Sequence, residues 1–295
     1  MTPADDPAVP RAWRGPGRPG VPAVRRAWRG PGPGRPGVPL PPDRMPLVRG
    51  GRPLKSWTYV GAFGPDVMLC AARVRIGGLV PVAWWALWER GSGRLVRRTA
   101  RGRGGVQIAP GRLAVSGRAV RLELALDAGE PIEVVSPHGR QYAWTRKQGG
   151  VGARGTLELH GERRALDLRA IVDESAGYHA RHTAWRWSAG VGVAASGTPV
   201  AWNLVDGIHD GADVSERTVW IAGEPRPVPA QPFAADLGGV GGLRFSAEAV
   251  LALREDLGLL RSEYEAPFGS FAGELPVAGP LREGWGVMER HDVRW

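Results

Sequence analysis

From Trp57 onward, short runs of apolar, β-branched and aromatic residues recur every eight to twelve residues, with turn residues between them. Val67–Ile76, Leu79–Glu89 and Leu95–Thr99 are separated at Gly77-Gly78 and at Gly91-Ser92-Gly93; Arg112–Val115 meets Arg118–Leu126 across Ser116-Gly117. The pattern continues to Trp285–Trp295. Even spacing with hairpin-type turns is the mark of antiparallel sheet. Alternation agrees, since Leu122, Leu124 and Leu126 interleave with Arg121, Glu123 and Ala125. One stretch reads as a helix, Ser246–Asp256, with Ser246 as N-cap and Val250, Leu251 and Leu253 on one side. About fifteen strands exceed what one sandwich uses. The expectation is an all-β chain of two antiparallel units, barrels or barrel-like sandwiches, divided near Ile171–Tyr178 into 51–172 and 173–295.

Residues 1–50 differ in kind. They hold nine Arg, no Lys, three Asp, 13 Pro and eight Gly, a net +6 of the chain's +10; the remaining residues carry 30 basic against 26 acidic side chains, or +4. Ala8–Pro22 recurs with small changes as Ala23–Pro39. So little apolar surface does not offset the entropy of ordering, and a disordered arm is expected. Trp13 and Trp28 with nine Arg make a thin platform for RNA; the plainer readings are an unstructured tail, or sequence upstream of a start at Met45. Only Lys55 and Lys147 are lysines, which points to a coding bias toward Arg rather than to phosphate recognition, so no nucleic-acid partner is expected.

Several classes drop out. Cys70 is the single cysteine, which excludes an internal disulfide framework and a cysteine-based zinc site. The longest apolar run, Leu79–Trp88, is ten residues, half of the ~20 a membrane helix needs. Asp5 and Asp6 near the start, with no apolar run following, argue against a signal peptide, so a soluble cytoplasmic protein is expected. G-x-G-x-x-G occurs at Gly15–Gly20, Gly32–Gly37 and Gly150–Gly155, but none lies between a strand and an amphipathic helix. There is no P-loop, no H-E-x-x-H and no G-x-S-x-G.

Unusual residues concentrate in two places. Asp173–Trp187, continued by Trp202-Asn203 and Asp206–Asp210, holds three of the six His and the single Asn. On an extended strand His179, Arg181, Thr183, Trp185 and Trp187 share one face, and Tyr178, His182, Ala184 and Arg186 the other. His179 and His182 therefore diverge; a turn before Thr183 would be needed to gather them with Asp206 or His209 around a metal, and no metal or cofactor is expected. Trp185, Trp187 and Trp202 are candidate cavity walls, with Tyr178, His179, Arg181, Arg186, Asn203 and Asp206 as further candidate ligand-binding residues. The second place is Val287–Trp295, where Glu289 and His291 share a face with Val287, Val293 and Trp295. A Glu–His pair there suits general acid–base work, its proximity tuning both groups toward neutrality; a structural ion pair is the plainer alternative. His182 joins these two as a candidate catalytic residue. Asp173-Glu174 and Glu216-Arg217 read as loop or surface charge.

Pro53–Leu69, Ile132–Gly139, YAWTRKQ (Tyr142–Gln148), DESAGYHARHTAWRWSAG (Asp173–Gly190), AWNLVDGIHD (Ala201–Asp210), SERTVW (Ser215–Trp220) and GVMERHDVRW (Gly286–Trp295) carry a resemblance. Over Arg52–Trp295 the chain resembles the bacterial domain-of-unknown-function family numbered twenty-eight hundred and four, which has no assigned activity. More distantly its layout is similar to the double-lipocalin group that includes hydroxyneurosporene synthase and tocopherol cyclase. That similarity implies lipocalin-like (calycin-like) units and a cavity for isoprenoids, by analogy of fold alone.

Two classes of function follow. One is a module binding an apolar or isoprenoid-like small molecule in a Trp-lined barrel cavity. The other is an enzyme of hydratase or cyclase type, using His182 or His291 with Glu289 as acid and base and Arg181 or Arg186 to orient a polar head. A carbohydrate-acting protein, stacking sugars on Trp and using Asp173, Glu216 or Glu289, stands behind both.

Overall fold

The computed structural model describes residues 24–31, 34–256 and 261–295. Trp13, the first copy of the repeat and Gly15–Gly20 lie outside the described residues. Among the described residues every regular element is a β-strand, and every pairing is antiparallel. The chain builds an 11-stranded sheet, an 8-stranded sheet and one small two-stranded ribbon.

The first sheet is organised by two long strands, Gln141–Leu159 and Glu162–Gly177, paired from Ala143 opposite Gly177 to Leu159 opposite Glu162. A bulge between Gly149 and Val151 bends the first of them. Glycine is required there: Gly150 has φ +71°, and a Cβ on Gly149 would stand 2.3 Å from the Trp220 ring. The bend splits the strand's outer edge, so that Ile132–His138 pairs before it and Val120–Leu126 after it. On the other side follow Lys55–Phe63, Val67–Ile76, Val82–Glu89 and Arg94–Arg101. The sheet curls until Val106–Ala109, at its far end, lies against Lys55–Phe63, Val67–Ile76 and Val82–Glu89. Inside the curl Val60, Leu69, Leu113, Leu122 and Leu157 form one core. Strict alternation in Val120–Leu126 places every second residue in it.

The chain leaves the first sheet at Gly177 and enters the second at His182. A division at 172/173 therefore falls inside one strand, because Glu162–Gly177 keeps its register with Lys55–Phe63 to the end. His182–Ala194 pairs with Pro199–Asp206 on one side and with Gly279–Arg294 on the other; Arg261–Leu275 and Leu243–Asp256 follow. This sheet curls around Trp202, Leu204, Val219, Phe245, Phe271 and Met288. The outer faces of the two curls press together through Phe63, Met68, Ile171, Trp187, Phe268 and Val287.

Two expectations are corrected. Ser246–Asp256 is strand, not helix: it pairs with Arg261–Leu275 from Leu243 to Asp256, broken only by a bulge between Ala247 and Ala249. Thirteen cross-strand positions outweigh a helical spacing of three apolar residues. The arm is ordered where it is described. Val24, Leu40 and Met45 are buried against Val135, Tyr142 and Tyr178, and Trp28–Gly30 adds a short strand to Ile132–His138. The few apolar residues between the prolines find a ready surface, and proline leaves less chain entropy to lose on ordering.

Candidate functional site

A cavity of about 160 Å³ opens where the two sheets meet. It lies between the outer faces of the curls rather than inside either, which corrects the expectation of a barrel cavity; both curl interiors are filled by their own cores. Its walls follow from register. In the second sheet Trp187 stands opposite Glu289 and Trp185 opposite His291, and Tyr264 stands opposite His291 from the other side. In the first sheet Lys147 stands opposite Asp173, which stands opposite Tyr59. Period-two alternation turns all of them, with Trp57 and Trp84, toward the junction.

The rings support one another. Trp57 and Trp185 stack across the sheets with centroids 6.1 Å apart and planes 7° from parallel. Tyr59 meets Trp187 edge-on at 5.2 Å, and Trp84 meets Tyr264 at 5.3 Å. The polar groups fall into two sets. Glu289, 6% exposed, accepts hydrogen bonds from Trp185 Nε1 at 2.7 Å and from the Tyr264 hydroxyl at 2.8 Å. Both donors are uncharged, so burial prevails and raises the carboxyl to about 7. His291 shares its hydrogen bond with Ser262 Oγ at 2.8 Å and packs on Trp185 at 4.4 Å; burial lowers it to about 4. Glu289 and His291 thus share a face, as expected, but each bonds other partners. Burial, rather than their proximity, displaces both.

The second set is a buried ion cluster. Lys147 Nζ lies 2.9 Å from Asp173 Oδ1 and 3.1 Å from Glu216 Oε1, and 5.5 Å over the Trp187 ring. Burial disfavours the ammonium, yet the two carboxylates outweigh it and hold the Lys147 pKa above its ordinary value. Asp173 is raised, first by burial, against the pull of Lys147. Asp173 also accepts from Trp57 Nε1 at 3.3 Å. The reading of Asp173 and Glu216 as surface charge is therefore corrected: they are 6% and 2% exposed, because a buried lysine gives them a partner.

Of the sequence candidates, Trp185, Trp187, Glu289 and His291 line the cavity. Asn203 stands directly behind its wall, accepting from Trp187 Nε1 at 2.6 Å and donating to the Glu216 carbonyl at 2.9 Å. His179 is buried, stacked on Trp57 at 5.3 Å. The others lie elsewhere. His182 is exposed and pairs with Asp292 at 2.9 Å. Arg181 is exposed, and its carbonyl accepts from the Trp295 amide. Arg186 pairs with Asp206 on the opposite strand face and donates to the Phe233 carbonyl. Tyr178 packs under the N-terminal segment, its hydroxyl donating to the Pro46 carbonyl. Trp202 fills the second core and donates to Ser188 Oγ.

Sequence reasoning missed Trp57, Tyr59, Trp84, Lys147 and Tyr264. The rarity of lysine was a usable signal: both lysines of a chain rich in arginine are buried, Lys147 in the cavity wall and Lys55 beside it, 4.5 Å over the ring of the lining residue Trp295.

Residues 97–230 match the model of a domain of unknown function, DUF2804. The DUF2804 match includes Lys147, Asp173, Trp185, Trp187 and Glu216, and stops short of Tyr264, Glu289 and His291. No curated protein matches the chain. Among solved structures, an AttH-like protein of Nitrosomonas europaea is 13% identical, with 86% of this chain and 98% of that one covered at a TM-score of 0.49. Kievitone hydratase of Nectria haematococca is 12% identical over 80% and 88% of the two chains, at 0.42. CghA with Sch210972 is 10% identical over 88% and 95%, at 0.39. No helix among the described residues is long and apolar enough to cross a membrane.

Proposed function

We propose that the chain binds an apolar, ring-bearing small molecule, of isoprenoid or aromatic type, in the cavity between its two sheets. The observation that carries this reading is the wall itself: Trp57, Trp84, Trp185, Trp187, Tyr59 and Tyr264 around about 160 Å³. A dry cavity of ~150 Å³ already holds a benzene-sized guest, and aromatic walls with a few placed polar groups are the usual make-up of a small-molecule site. Titration with naphthalene, followed by tryptophan fluorescence and calorimetry, tests it. Saturable binding that weakens in Trp185→Ala supports the reading; no binding at any soluble concentration overturns it.

One observation favours an enzymatic reading beside it. Glu289 faces this apolar cavity as a carboxyl that gains or loses its proton near neutrality, held in place by Trp185 and Tyr264. Such a group can give a proton to a bound double bond or leaving hydroxyl and take one back, as hydration or cyclisation requires. His291, neutral at working pH, packs against the ring that orients Glu289. Loss of turnover on a found substrate in Glu289→Gln, with ligand affinity retained, is the expected result. The carbohydrate-acting alternative finds less support, since Asp173 and Glu216 are both engaged by Lys147.

A further inference from the structure

A second cavity, of about 190 Å³, lies beside the first and is of different character: Ser136, His138, His209 and Asp210 line it, with Ala27 of the N-terminal segment. Ile208 and His209 line both cavities and so form a shared wall between them. His209 is 6% exposed and has φ +49°, a left-handed backbone that residues other than glycine adopt seldom and at some strain. Its backbone carbonyl accepts from the Glu216 amide at 3.0 Å, which ties this loop to the ion cluster.

The ring of His209 is half satisfied. Nδ1 shares a hydrogen bond with Ser136 Oγ at 3.1 Å, while Nε2 is buried with no partner among the described residues. Burial first of all, with the Lys147 charge adding to it, lowers its pKa to about 3, so the imidazole is neutral. A neutral imidazole offers one donor and one acceptor. If Ser136 donates to Nδ1, Nε2 carries the proton and seeks an acceptor; if Nδ1 donates, Nε2 seeks a donor. A hydroxyl can be either. Leaving such an atom buried and unpaired is unfavourable, and a ligand group placed there would relieve it.

We infer that the ligand is an alcohol or phenol, its ring among the tryptophans of the first cavity and its hydroxyl hydrogen-bonded to the orphaned His209 Nε2 in the partition wall. This rests on the binding reading above and names the polar end of the molecule that the apolar cavity leaves unspecified.

The test uses the full chain and three kinds of probe: naphthalene, ω-phenylalkan-1-ols of increasing chain length, and the alkylbenzenes that match them. Calorimetry gives the ratio of alcohol to hydrocarbon affinity at each length. The expected result is a ratio of about tenfold, the worth of one hydrogen bond, at the lengths that reach the partition, falling to about one in His209→Leu. Should the leucine variant fail to fold, His209→Asn accepts the left-handed backbone and shortens the side chain, and the ratio should fall there too. Equal affinities at every length, or a ratio that persists in a folded variant, overturn the inference while leaving the ring site standing. Failure of naphthalene to bind removes both readings.

Discussion

Trp185 and Glu289 are joined by a 2.7 Å hydrogen bond from the indole N–H to the carboxylate, across neighbouring strands and 104 residues of chain. The bond fixes the angle of the ring that stacks on Trp57 of the other sheet. It also leaves the carboxyl with uncharged partners alone. Wall and acid are thus one unit.

The first prediction concerns pH. An unfolded chain holds the Glu289 proton up to about 4.5, the folded protein up to about 7. Below 4.5 both states are protonated; between the two values only the folded state is. The stability this group contributes is therefore full below about 4.5 and is lost as pH rises toward 7, by ~3 kcal/mol for a shift of this size. His291 has the opposite sign: lowered to about 4, it contributes stability that is present above 6.5 and lost as pH falls. The difference between Glu289→Gln and the parent isolates the first group. Its melting temperature should gain on the parent from about pH 5 to 7 and level off beyond. A difference constant with pH would refute the assignment.

Among the described residues, Lys147 is the one cation bonded to two buried carboxylates. Lys147→Met should destabilise the protein by about 3–5 kcal/mol in urea unfolding, because it strands those charges. Adding Asp173→Asn and Glu216→Gln should restore much of the loss. A single substitution costing under about 1 kcal/mol would mean the cluster is hydrated rather than dry.

Asn203 bridges Trp187 and the Glu216 carbonyl. Asn203→Leu leaves the Trp187 indole N–H without a partner and the Glu216 carbonyl with the Thr218 hydroxyl alone, and should cost about 1–3 kcal/mol. Naphthalene affinity should fall with it, since Trp187 loses its anchor. Unchanged tryptophan emission in the folded variant would count against this role.

The His182–Asp292 pair is half exposed. His182→Ala should change stability by less than about 1 kcal/mol and leave probe binding as it was. A marked loss of binding would return His182 to the site from which its exposure removes it.

Local pattern carried a good part of this. Alternation alone set Glu289, His291, Val293 and Trp295 on one face, and they line the cavity together. The same rule separated His179 from His182, one buried and one exposed. It failed for Asp173 and Glu216, whose types read as surface charge until Lys147 was seen between them. It failed again for Ser246–Asp256, where a helical spacing of three residues gave way to pairing with Arg261–Leu275.

By itself, then, the chain's order determined the strand class, the turns, and which side chains share a strand face, because these depend on neighbours two or three residues away. Only the tertiary structure decided that the cavity lies between the curls rather than within one, and that residues as distant as Trp57, Lys147, Glu216 and Glu289 enclose it. Strand register and sheet packing are settled by contacts across a hundred residues or more, and no local periodicity encodes which outer face will meet which.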